Sequence, residues 1–191
     1  MKDKILDAVV DLINMKGVKF TMDDIARSLS ISKRTIYENF SSKEEIIDQL
    51  VDKLCDRIRK REIEILRDPD MSVDEKLRDI TKLMAQDLRI TNEAHFYDIK
   101  KFYPEQWKKF QEVFDDWEPT FEILNIGVEK GILRRFNPFV LRKLLSTTMI
   151  SIMDKNFLDE SGLTFDECFK EMLDIVSFGI VRDGELGEDK K

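Results

Sequence analysis

Residues 33–43, KRTIYENFSSK, bring together side chains that suit a phosphate backbone and the edge of a base. Arg34 carries a planar fork of donors that matches the O6 and N7 acceptors of guanine, and Asn39 can read adenine or meet a backbone oxygen. Lys33, Thr35, Tyr37 and Lys43 suit phosphate oxygens, contacts that fix register and make affinity depend on salt. Thr21, at the head of the preceding helix, completes the candidate DNA-binding set. The chemistry on offer is recognition, not bond-making.

These side chains act together only if a short helix presents them on one face. Thr21 reads as a helix N-cap, with Asp24 three residues on, and Ile25, Ala26 and Leu29 follow on one side. Ser30-Ile31-Ser32 breaks that rhythm, and Ser32 caps a second helix over about residues 33–39, with Ile36 and Phe40 inward. Two short helices joined by a tight turn read as a helix-turn-helix, the second sized for the DNA major groove. Ahead of them, Ile5, Leu6, Val9, Leu12 and Ile13 form a helical stripe from Lys2 to Lys16, which Gly17 terminates. Behind them, Ser41 and Glu44 read as a capping box that starts a fourth helix near Ser42. Its apolar positions carry it to about Leu66, before Asp68-Pro69. Such a rod is long enough to carry a displacement from the rest of the chain to the reader.

The stretch resembles the DNA-binding domain of the tetracycline-repressor (TetR) family. The resemblance rests on T-x-x-x-I-A from Thr21, I-S-K-R-T-I-Y-x-x-F from Ile31, and S-K-E-E from Ser42, within roughly Ile5 to Leu54. It implies that Tyr37 and Lys43 grip the DNA backbone, and that the protein binds near-palindromic operators as a homodimer. It also implies an effector-binding helical body and a repressor's role. One departure stands in the turn, where the family usually has glycine and this chain has Ser30. A non-glycine residue at positive φ costs on the order of 1 kcal/mol, so Ser30 either tolerates that conformation or the turn is reshaped.

The chain has 191 residues and a net charge of −7, which at first argues against a DNA partner. The charge divides unevenly: residues 1–61 carry +2 and residues 62–191 carry −9. Most of the surface would therefore repel DNA while one end approaches it. One histidine excludes most histidine-based triads and multi-histidine metal sites, and no glycine-rich phosphate loop, H-E-x-x-H or C-x-x-C occurs. Neither an enzyme nor a bound metal or cofactor is expected. The isolated Cys55 and Cys168 read as reduced thiols of a cytoplasmic protein.

The rest reads as helices throughout, for about nine in an all-α chain. Ser72 and Glu75 cap a fifth, a short one runs from Glu93 to Phe102, and Pro104 opens the next. Pro119 should kink or divide that helix near Trp117. Asn137-Pro138 opens a helix to about Glu160, and Thr164 with Glu167 caps the last. The domains are expected at 1–46 (helix-turn-helix) and 47–185 (effector binding and dimerisation), linked by the helix over about 42–66, with a frayed tail over 186–191. An apolar or aromatic effector would lie against Met84, Phe96, Tyr103, Trp107, Phe110, Phe114, Trp117, Phe121 and Met149. Tyr97, Tyr103, His95 and Gln86 are the candidate polar groups there. Dimerisation is assigned to Leu141, Leu145, Met149, Phe169, Met172, Val176 and Ile180, whose apolar faces look wider than one core stripe needs. The competing reading is a helical protein-interaction module with a vestigial helix-turn-helix.

Overall fold

A computed structural model describes residues 1–89 and 93–180, except for the side chains of residues 84–89, 93–96, 114, 155, 177 and 178. Helix α1 (Lys2–Lys16) buries Ile5, Leu6, Val9, Leu12 and Ile13, as its spacing demands, and ends at Gly17 with φ 65°. A 3-10 turn (Gly17–Lys19) leads to α2 (Met22–Leu29) and then α3 (Lys33–Tyr37), which is shorter than its apolar pattern suggested. The turn between them answers the question posed by Ser30, which takes the left-handed conformation at φ 53° and ψ 40°. Its amide donates to the carbonyls of Ala26 and Arg27, and the Ile31 amide donates to Ala26, so the last turn of α2 keeps its acceptors filled. Serine occupies the glycine conformation without reshaping the turn.

Helix α4 (Lys43–Arg67) is the long element, 25 residues or roughly 37 Å at about 1.5 Å per residue. Its cap differs from the expected Ser41–Glu44 box by one residue. Ser42 accepts from the Glu45 amide at 3.1 Å, while Glu45 accepts from the amide and hydroxyl of Ser41. The body follows as α5 (Val73–Arg89), α6 (Glu93–Phe102), α7 (Pro104–Asp116), α8 (Glu118–Glu129), α9 (Pro138–Ile152), α10 (Lys155–Ser161) and α11 (Phe165–Ile180). Eleven α-helices and no β-sheet are thus formed among the described residues. Two breaks raise the number above nine. The first is at Trp117 (φ 35°), just ahead of Pro119, where a kink or division was expected. The second is at Met153-Asp154, where Asp154 caps α10 by accepting from the Asn156 amide and divides the helix expected to run to Glu160.

Helix α4 packs against α5, α7 and α8, while α9 lies between α7 and α11 and α5 meets α11. This arrangement corrects the expected dimer face. Leu141, Leu145, Met149, Phe169, Met172 and Ile180 are buried in the chain's own core, with Val176 packed against it. The stripes assigned to a partner are the ones that α9 turns toward α7 and α11, and α11 toward α9 and α5. The outward faces of α9 and α11 instead expose Val140, Leu144 and Ile175.

Candidate nucleic-acid interface and body cavity

The reader is built on a small core. Ile5, Val9, Ile25, Ile36, Phe40 and Ile46 are almost wholly inaccessible, and they fix α3 through Ile36 and the residue just past its end, Phe40. Its start is fixed by Ser32, whose hydroxyl accepts from the Thr35 amide at 3.1 Å. The helix ahead is fixed by Thr21 and Asp24 in a full capping box. Lys16 lies 2.9 Å from Asp24 and, with the bonds from Thr21, holds that carboxyl well below the usual carboxylate range.

On this frame Lys33, Arg34 and Tyr37 face solvent, Arg34 with 87% of its side chain exposed and Tyr37 53% exposed. Lys33 lies 2.7 Å from Asp23, and Arg34 lies 3.0 Å from Glu38. Exposed pairs of this kind are worth about 0–1 kcal/mol, so exchanging a carboxylate for a phosphate costs little. Thr35 is half-buried, with its hydroxyl 2.9 Å from that of Ser32. Asn39 donates to the Thr35 carbonyl at 2.7 Å, which leaves its side-chain oxygen and one N–H for a base or phosphate. Thr21 spends its hydroxyl on the cap of α2. Lys43 is turned back: its ammonium donates to the Val18 carbonyl at 2.6 Å and sits 4.4 Å from the Phe20 ring centre, where burial lowers its pKa. Through these contacts Lys43 braces the domain. The outward set is Lys33, Arg34 and Tyr37, with Thr35 and Asn39 beside them.

Polar contacts pin α4 to α7. Lys109 lies 2.7 Å from Asp48 and 3.0 Å from Asp52, Gln106 donates to Asp48 at 3.2 Å, and Arg59 lies 3.1 Å from Asp116. Within the body a cavity of about 80 Å³ lies between α5, α8, α9 and α11, bounded by Ile80, Trp117, Thr120, Leu145 and Phe169 among others. Of the residues read as an effector wall, Trp117 lines it. Tyr103, Trp107, Phe110, Phe121 and Met149 are instead buried in packed core, Trp107 and Phe110 with ring centres 5.8 Å apart. The side chains of Met84, Phe96 and Phe114, like those of Gln86 and His95, lie outside the described residues. Sequence reasoning missed Glu62, which is 2% exposed and accepts from the Thr120 hydroxyl at 3.0 Å. Burial pushes its carboxyl up to about 7. The signal was present, because Glu62 continues the inward stripe of Val51 and Ile58.

A capped helix-turn-helix with a cationic outer face, mounted on a long helix that enters an all-helical body, defines a DNA-binding protein. The family model described as bacterial regulatory proteins, tetR family, matches residues 5–50. The HTH-type transcriptional regulator YvaF of Bacillus subtilis (strain 168), itself uncharacterized, is 25% identical over 186 residues, 97% of this chain and 98% of that one. The negative regulator of the biofilm operon icaADBC, IcaR, from Staphylococcus aureus (strain Newman) is 46% identical over 56 residues, 29% of this chain and 30% of its own length. The crystal structure of the TetR-family regulator PfmR from Thermus thermophilus shares the fold with a TM-score of 0.64 and 23% identity. The match covers 93% of this chain and 99% of that one. Residues 5–50 therefore carry the DNA-binding domain of tetR-family regulatory proteins, and the chain is a transcriptional regulator similar to them.

Proposed function

We propose that the chain is a ligand-responsive repressor that binds a near-palindromic operator as a homodimer in the cytoplasm. The observation that carries the reading is the outward face of Lys33, Arg34 and Tyr37, held next to the first turn of α4. Residues 1–46 read the DNA and residues 47–185 bind effector and partner, with α4 shared between them. One α3 specifies only a few base pairs, so two copies must dock on half-sites about 34–36 Å apart.

The exposed apolar side chains of α9 and α11 support pairing through those helices, since Leu144 is 49% and Ile175 69% exposed. The ion pairs from α7 to α4 support the response, because a shift of α7 moves α4 and, with it, α3. A ligand acts only through its different affinity for the two separations of the readers. The test is a mobility-shift titration of ligand-stripped protein against the DNA upstream of its own gene. A sequence-specific complex with a dimer's stoichiometry is expected. No specific complex at any salt concentration would sink the reading and return the interaction-module alternative.

A further inference from the structure

The cavity in the body does not end at its apolar walls. A second hollow of about 380 Å³ shares Leu77, Thr81, Leu173 and Ile180 with it. That outer hollow carries the exposed side chains of Asp74, Arg78 and Asp174 at its rim, so it opens to solvent between α5 and α11. The inner chamber and the outer hollow thus adjoin, with the side chains of Leu77, Thr81, Leu173 and Ile180 between them. Thr120 stands in the chamber's wall and Glu62 of α4 stands behind Thr120.

We propose that the two hollows join to admit a small amphipathic cation, an ammonium group on an apolar body, with the Thr120 hydroxyl oxygen accepting from the ammonium and Glu62, one hydrogen bond further in, supplying the counter-charge. The proposal rests on the effector-responsive reading above and names the class of that effector. The apolar body lies against Trp117, Leu124, Leu145 and Phe169. An ammonium buried without a partner is strongly disfavoured, whereas one paired with a buried carboxylate gains an interaction that water barely screens. The charges point the same way: two carboxylates and one guanidinium at the outer rim, then one carboxylate behind the Thr120 wall. A carboxylate ligand meets repulsion at both ends.

The state of Glu62 agrees with this geometry. Burial holds its carboxyl near 7, against the lowering effects of the Thr120 hydroxyl and of Arg59 on α4, while Asp116 of α7 adds to the rise. An incoming cation supplies the missing counter-charge and displaces the proton. Because Glu62 belongs to α4, occupancy acts directly on the helix that begins at the reader.

The test uses the full chain and three probes with the same tail: hexylammonium, hexanol and hexanoate, titrated by calorimetry. Hexylammonium is expected to bind about tenfold or more tighter than hexanol, with no uptake of hexanoate. Its affinity should rise from about pH 6 to about pH 8 as Glu62 ionises. Glu62→Gln keeps an acceptor for Thr120, and should equalise hexylammonium and hexanol and flatten the pH dependence. Leu173→Trp should fill the passage and abolish uptake with circular dichroism unchanged. Preference for hexanoate, a retained ammonium preference in Glu62→Gln, or no uptake by the folded wild-type chain would each overturn the proposal. Operator binding in the same preparations scores the other reading separately. Ammonium uptake without DNA binding sinks the regulator reading and leaves the channel, and DNA binding without uptake does the reverse.

Discussion

The ammonium of Lys109 on α7 lies 2.7 Å from an Asp48 carboxylate oxygen on α4, close to the end of the helix that abuts the reader. Hydrogen bonding to Lys109 first, and to Gln106 after it, holds the Asp48 carboxyl below its ordinary range. A carboxylate with a lowered folded pKa adds stability above its unfolded pKa and loses it as pH falls through the folded value. Lys109→Met should therefore lower the urea midpoint slightly at neutral pH, within about 1 kcal/mol for so exposed a pair. The difference from wild type should close below about pH 4. A gap that persisted in acid would mean that Lys109 stabilises the chain by packing and not by charge.

Glu62 has the opposite sign. Its folded pKa lies above the unfolded value of 4.5, at about 7, so between those two values the folded chain holds more protons than the unfolded one. Stability must fall as pH rises through that window. Glu62→Gln should remove this slope and, near pH 8, be more stable than wild type by about 3 kcal/mol. Urea unfolding at about pH 5 and pH 8 decides it, and parallel curves for the two proteins would refute the assignment.

On the reading face, each substitution has its own signature. Arg34→Ala should cost about 1–3 kcal/mol of operator affinity and relax preference at one base position. Lys33→Ala should weaken binding to all sequences and reduce the slope of log affinity against log salt by about 1. Both side chains are exposed, so thermal unfolding should not change. Fluorescence anisotropy across a salt series, with operator and scrambled duplexes, separates the two.

Much of the reader was legible because its signals are local. The caps at Thr21 and Ser32 and the periodicity of Ile25, Ile36 and Phe40 act within a few residues. The body was less legible because its helices are apolar on more than one side. Nothing in the spacing of Leu141, Leu145 and Met149 says whether core or partner covers them, and the core won because α7 and α11 flank α9. The aromatics of α7 failed as a guide for a related reason: Trp107 and Phe110 have the spacing of a cavity wall and equally of a packed core. The cavity is walled by α5 and α11, which meet only in the folded chain. Residue type alone did not show that Lys43, a cation three residues past Phe40, also finds the Val18 carbonyl.

Ser30 offers a test of strain in the turn. Its φ of 53° is a conformation glycine adopts freely. Ser30→Gly should therefore stabilise the chain by up to about 1 kcal/mol, less the entropy that glycine adds to the unfolded state. Ser30→Val, β-branched at positive φ, should destabilise it by more than that. Thermal unfolding measures both, and a Val variant as stable as wild type would show that the turn adapts.

The relation between neighbouring residues on α9 gives the sharpest test of the proposed dimer. Leu144 points outward with 49% exposure, whereas Leu145 is 4% exposed in the chain's own core. A carboxylate at the first position meets solvent in the monomer; at the second it has no counter-ion and unfolds the body. Leu144→Glu together with Ile175→Glu should give a folded monomer by light scattering. Circular dichroism should match wild type, while affinity for the full operator collapses to that of a half-site. Leu145→Glu should instead lose helicity and aggregate. If the Leu144→Glu, Ile175→Glu protein stayed dimeric, the two chains would have to meet on another surface, and the outward faces of α9 and α11 would lose their assigned role.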